Sequence, residues 1–150
     1  AATYALTLHG TGSPAQPDRE FGDLDPVSAI TIQGAGMTDT VIDAAGLDDR
    51  IFQISTYMAT LTLNDMTLTN GHAVTDGGAV HANANPFTAN RVSFLFNRAS
   101  DGADGAVGSA GGIGFGGGAI FIFNDALLTF KGARTPESRV NVSVDDASFL

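Results

Sequence analysis

Four short segments of the chain share one pattern: an apolar residue, Thr, an apolar or small residue, then a polar one. They are Ile30-Thr31-Ile32-Gln33, Leu61-Thr62-Leu63-Asn64, Phe87-Thr88-Ala89-Asn90 and Leu128-Thr129-Phe130-Lys131. Recurrence of this kind marks a repeat architecture, in which one unit cannot bury its apolar face alone and stacks on copies of itself. Within each copy the side chains alternate, the period of a strand with one buried face. Stacked as successive turns, the copies place Thr31, Thr62, Thr88 and Thr129 in one outward column. Gln33, Asn64, Asn90 and Lys131 form a second. The apolar residues fill a continuous interior, with Ile32, Leu63, Val92, Phe94 and Ile120 predicted as core.

The segments between the copies are also short strands divided by turn signals. Tyr4 to Leu8 alternates, and residues 9–28, with Pro14, Pro17 and Pro26, read as a long loop. After Ile30 to Gln33 come Thr40 to Asp43 and Ile51 to Ser55. The same three-strand order returns in Thr60 to Asn64, Met66 to Thr69 and Ala79 to Ala82. It returns again in Phe87 to Asn90, Val92 to Phe96 and Gly118 to Phe123. Leu127 to Lys131 and Val140 to Val144 begin a fourth copy. Three strands per turn predict an all-β fold, a parallel β-helix (β-solenoid) of about four coils in a single domain over 1–150. Its hand is right, by the rule for parallel crossovers.

Spacing locates the insertions. Thr31 to Thr62 is 31 residues, Thr62 to Thr88 is 26 and Thr88 to Thr129 is 41. The excess in the last interval matches a Gly-rich tract from Asp101 to Gly117. There Gly102, Gly105, Gly108, Gly111, Gly114 and Gly117 recur at a period of three. Two readings stand: an extended polyproline-II-type run, which has three residues per turn, or a flexible Gly-rich loop. Either leaves the coil as one excursion. Val107, Ile113 and Phe115 would carry its apolar surface, and they are the candidates for partner contact.

Composition narrows the function classes. The net charge is −9, from 16 acidic and 7 basic residues, which argues against nucleic acid and anionic membrane surfaces as partners. No apolar run approaches the ~18 residues of a transmembrane segment. There is no Cys, hence no disulfide framework and no thiolate metal site. The chain opens Ala-Ala-Thr-Tyr without Met and reads as a processed piece of a longer protein.

Candidate sites are sparse. Asp65 and Arg91 follow the second polar column and belong on adjacent coils. A base beside a metal ligand is one reading of them, and a salt bridge between stacked strands is the other and the preferred one. Asp101 and Asp104 are the calcium candidates, against a solvated loop, and the Gly-Gly-x-Gly-x-Asp pattern of calcium-binding β-rolls is missing. His9, His72 and His81 lack metal-ligand spacing, although His72 and His81 could meet on one coil. Asp48-Asp49-Arg50 and Asp145-Asp146 read as polar turns. The Thr column suggests ice binding less than a polar ladder, because its neighbours are Gln, Asn, Asn and Lys. No nucleophile elbow and no phosphate loop occur, so neither a catalytic residue nor a cofactor is predicted.

Several stretches resemble a known family. They are Tyr4-Ala-Leu-Thr-Leu, Gly22-Asp-Leu-Asp, Ile30-Thr-Ile-Gln-Gly-Ala-Gly, Thr40-Val-Ile-Asp and Leu61-Thr-Leu-Asn-Asp-Met-Thr-Leu-Thr-Asn-Gly. They look like the opening of bacterial surface proteins built on a right-handed parallel β-helix. Gly77-Gly78-Ala79-Val80, Phe94-Leu-Phe-Asn97 and Gly117-Gly118-Ala119-Ile120 resemble the Gly-Gly-Ala-Ile and Phe-x-x-Asn repeats of polymorphic outer-membrane proteins. The likeness spans most of residues 4–124, and the family's Cys-Ser-Leu-Arg-Glu-Ala type signature is absent. It implies export to a bacterial cell surface, periplasm or extracellular space, in adhesin-like proteins. The expectation is a non-enzymatic structural or binding module, with a protein partner or self-assembly through coil ends or the Gly-rich insertion, or with a glycan. The alternative is part of a carbohydrate-active β-helix of lyase or hydrolase type. Fold analogy alone does not decide between them.

Overall fold

Alternation decides the longest strand. From Thr60 to Thr69, Leu61, Leu63, Met66 and Leu68 are buried, whereas Thr60, Thr62 and Asn64 are only partly covered. The structure, a computed structural model, describes residues 1–7, 22–55, 58–99, 119–123, 128–131 and 142–144. The strands are β1 (Ala2–Ala5), β2 (Ala29–Gln33), β3 (Thr40–Asp43), β4 (Phe52–Ile54), β5 (Thr60–Thr69), β6 (His72–Ala73), β7 (Val80–Asn83), β8 (Phe87–Leu95), β9 (Arg98–Ala99), β10 (Ile120–Phe123), β11 (Leu128–Lys131) and β12 (Val142–Val144). No helix occurs among the described residues, and none there is long and apolar enough to cross a membrane.

Every strand pair among the described residues is parallel. One sheet runs β1-β3-β5-β8-β11, with β2 lying on the first half of β5. A second runs β12-β10-β7-β4, and β6 pairs with β9. The repeat sets the register: Thr31 faces Thr62, Thr62 faces Thr88 and Thr88 faces Thr129. Antiparallel pairing between the copies is thereby excluded. The polar column follows, with Gln33 opposite Asn64, Asn64 opposite Asn90 and Asn90 opposite Lys131. Asn90 Nδ2 donates to Asn64 Oδ1 at 2.7 Å, one rung of an amide ladder.

The core lies between the two larger sheets. Leu63, Val92 and Ile120 are fully buried and Phe94 nearly so, as predicted, alongside Phe52, Ile54, Phe87 and Ile122. Ile32 differs. It packs against this cluster but stays half-buried, because β2 has no strand on its second edge among the described residues. Several boundaries also differ from expectation. The segments 60–64 and 66–69 form one continuous strand, as do 87–90 and 92–95. The chain bends without leaving the sheet at Asp65 (φ 55°) and Arg91 (φ 51°). The first strand sits at Ala2–Ala5 and pairs with β3, and Leu24, expected in a loop, bridges Phe52.

Insertions return in register. From Ile32 to Val41 the chain takes nine steps, where Leu63 to Thr67 takes four, although both pairs stack on each other. The turn at 34–39 places six residues where Asp65 stands alone in the next repeat, and those five extra residues account for the whole excess of the first interval. Gly34 opens that turn because a Cβ there would lie 2.1 Å from the Asp65 carbonyl oxygen. After the longest interval Ile120 faces Val80 and Ile122 faces Ala82, so the third strand stacks as predicted. The tract 101–117, including Asp101, Asp104, Val107, Ile113 and Phe115, lies outside the described residues, as do His9, Asp145 and Asp146.

Candidate functional site

Three polar arrangements stand out, two at the surface and one around a buried guanidinium. The simplest is the pair foreseen on the second column. Arg91 Nη2 donates to Asp65 Oδ2 at 2.6 Å and Arg91 Nε to Oδ1, so the contact is bidentate across adjacent strands. Gln33 Nε2 adds a bond to Oδ2 at 2.9 Å. These bonds hold the Asp65 carboxyl down at about 2. Both partners are occupied by each other at the surface, which is the geometry of the stacked-strand salt bridge.

The second arrangement surrounds Arg50, which is buried although it reads in sequence as part of a polar turn. Its guanidinium donates from Nη2 to Thr75 Oγ1 at 2.7 Å and from Nη1 to Gln53 Oε1. Its Nε lies 3.8 Å from Asp49 Oδ1, an ion pair beyond hydrogen-bond reach. Burial, reinforced by Asp25 and Asp49, pushes the Asp23 carboxyl up to about 7, against the opposing pull of Arg50. Burial also raises Asp49. Burial first, then Arg50, pushes His81 down to about 4. The His81 ring stacks on Phe121, centroids 5.4 Å apart. His72 and His81 therefore keep separate partners.

The third arrangement is an open cleft of about 260 Å³ where β3, β5 and β8 turn toward the next strands. Asp48, Asn70, His72, Phe96 and Arg98 line it. Pairing of β6 with β9 sets Arg98 beside His72, and Arg98 Nη2 donates to His72 Nδ1 at 3.2 Å. That bond leaves the proton of a neutral ring on Nε2. His72 Nδ1 is 3.7 Å from Asp48 Oδ1. The His72 amide is held by the Asp49 carbonyl at 2.9 Å and the Arg98 amide by the Gly71 carbonyl at 2.8 Å. Asn70 Nδ2 donates to Asp43 Oδ1 at 2.8 Å. Phe96 follows Leu95, which pairs with Thr69, so Phe96 takes the position Asn70 holds one repeat earlier. It was expected to end a strand; instead it has φ 54° and is 75% exposed.

A separate apolar groove of about 240 Å³ lies at the β2 end, lined chiefly by Leu24, Pro26, Ile30, Ile32, Phe52 and Leu61.

Sequence reasoning singled out Asp65, Arg91, His72 and His81 but did not assemble the cleft or the Arg50 cluster. The repeat length was the usable signal for the cleft: adding 26 to Asn70 and His72 reaches Phe96 and Arg98. No family model, curated protein or solved structure matches the chain.

Proposed function

We propose that the chain winds as a right-handed parallel β-helix of about four coils and works as a non-enzymatic, exported structural or binding module. The winding is supported by the order of the strands, which alternate between two wholly parallel sheets in three successive repeats. The hand follows from the strong preference of parallel crossovers. Location at a bacterial cell surface rests on the resemblance of the Gly-Gly-Ala and Phe-x-x-Asn segments alone.

One observation carries the binding role. Residues from three successive repeats, Asp48, His72 and Arg98, converge on one outward cleft. A stack of repeats is a rigid frame for such a surface, and His72 and Arg98 sit on the paired strands β6 and β9, where geometry holds better than on loops. The exposed Leu24, Val27 and Ile30 at the β2 end offer a second contact surface, for a protein partner or another copy.

The carbohydrate-active alternative is favoured by a different observation. A carboxyl that titrates near 7 beside two others, as Asp23 does, has the tuning of a general acid. One experiment separates the readings. The purified chain is run by affinity electrophoresis through soluble polysaccharides, and the same mixtures are assayed for new reducing ends and unsaturated products. Retardation without product supports the module. Product release that Asp23→Asn abolishes would establish the enzyme.

A further inference from the structure

We propose that the cleft beside Phe96 is a subsite for a neutral, hydroxyl-rich ring, a pyranose unit of a glycan. This rests on the binding-module reading and names its ligand class. Phe96 serves as the stacking plate, and Asp48, Asn70, His72 and Arg98 form the hydrogen-bonding rim.

Phe96 is the starting point. A bulky residue with positive φ is a genuine outlier, and such strain gathers at functional sites. Here φ is 54° and the side chain is 75% exposed, so packing among the described residues does little to offset the strain. The fold itself does not ask for Phe. One repeat earlier the same backbone position (φ 60°) holds Asn70, a residue that accepts this conformation readily. An aromatic ring kept in water at a strained position is explained by a ligand that covers it. The face of such a ring is electron-rich and suits the C–H face of a sugar.

The rim decides the kind of ligand. Asp48 only accepts hydrogen bonds and Arg98 only donates; Asn70 keeps its Oδ1 as an acceptor, and His72, whose Nδ1 is taken by Arg98, offers Nε2–H as a donor. A cation would meet Arg98, and an anion would meet Asp48, whose side chain is 90% exposed. A hydroxyl both donates and accepts, so a polyol matches the mixed rim. The cleft, at about 260 Å³, falls just below the range of ~300–1,000 Å³ typical of small-molecule sites, which suits one ring with the glycan continuing along the open sides.

The test is a titration of the isotope-labelled chain with methyl glucoside and with neutral xylo- and cello-oligosaccharides, followed by amide chemical shifts. Shifts confined to the neighbourhood of Asn70, His72, Phe96 and Arg98 are expected, with Kd on the order of 1 mM for a single ring. Phe96→Ala should weaken binding about tenfold, the worth of one aromatic contact. Phe96→Tyr should retain it. Phe96→Asn should remove binding and raise the melting temperature, which a structural Phe would not allow. The subsite is overturned by any of three results: no shift with any neutral sugar, unchanged affinity in Phe96→Ala, or shifts only with glucuronate, phosphate or calcium. Backbone NOEs between Thr62 and Thr88, read on the same sample, keep the two readings apart. Their presence without sugar binding removes the subsite and leaves the stack. Their absence removes the stack itself.

Discussion

Leu63 and Ile32 occupy one position of the repeat on neighbouring strands, yet they do different amounts of stabilising. Leu63 has strands on both sides and is fully buried, whereas Ile32 sits on the open strand and is half-buried. Leu63→Ala should therefore cost ~2–5 kcal/mol in a urea melt, the range for truncating a large core residue. Ile32→Ala should cost clearly less, and equal losses would mean that something covers β2. Residue-scale electrostatics make a second prediction. With the Asp23 carboxyl raised to about 7, its contribution is fully present below about pH 4 and is lost as pH rises through 7. With His81 lowered to about 4, its contribution is present above about pH 6.5 and is lost as pH falls through 4. Between pH 4 and 6.5 the two slopes oppose each other. Relative to the native chain, Asp23→Asn should lose stability as pH falls from 7 to 4, and His81→Gln should gain it from 6.5 to 4. Urea midpoints across this range that run parallel in all three proteins would show that neither group titrates out of place.

At the scale of elements, the bends are as informative as the strands. Asp65 and Arg91 turn their strands within the sheet, while in the first repeat the same corner opens into the turn begun by Gly34. Gly34 donates its amide to the Asn64 carbonyl at 2.8 Å, and no side chain fits between it and Asp65. Gly34→Ala should force the two strands apart and cost ~1–3 kcal/mol, as overpacking does. Gly46→Ala is the control, because its nearest neighbour would be 3.8 Å away, an ordinary contact. If both variants melt with wild-type midpoints, the close approach at Gly34 is absent in solution.

At the scale of the molecule, stability should be graded across the larger sheet. Strand β5 is paired on both edges along nearly all of its length, β8 on both edges over residues 87–90, and β2 on one edge. An inner strand of a parallel sheet is held by neighbours on both edges, so it opens last. Amide exchange should be slowest at Leu63, Leu68 and Ala89, and faster at Ile30 and Ile32. Uniform protection would indicate that another segment or chain covers the β2 end.

The repeat, its register and most of its core were legible in the sequence because each is written by local alternation and then written again about 26 residues later. A strand with one apolar face has one way to bury it, and copies of the same strand have one way to align. The spacing also showed where residues had been inserted, since an insertion lengthens the interval without disturbing the pattern on either side. What alternation does not encode is which side chains from different turns come to share a surface. Asp48, His72 and Arg98 read as unrelated polar residues until parallel pairing brought them to one cleft, and Phe96 read as the end of a strand until its backbone turned it outward. Asp23 and Arg50 acquired their character in the same way, because burial by distant segments is a property of the packed fold and not of either neighbourhood in the chain.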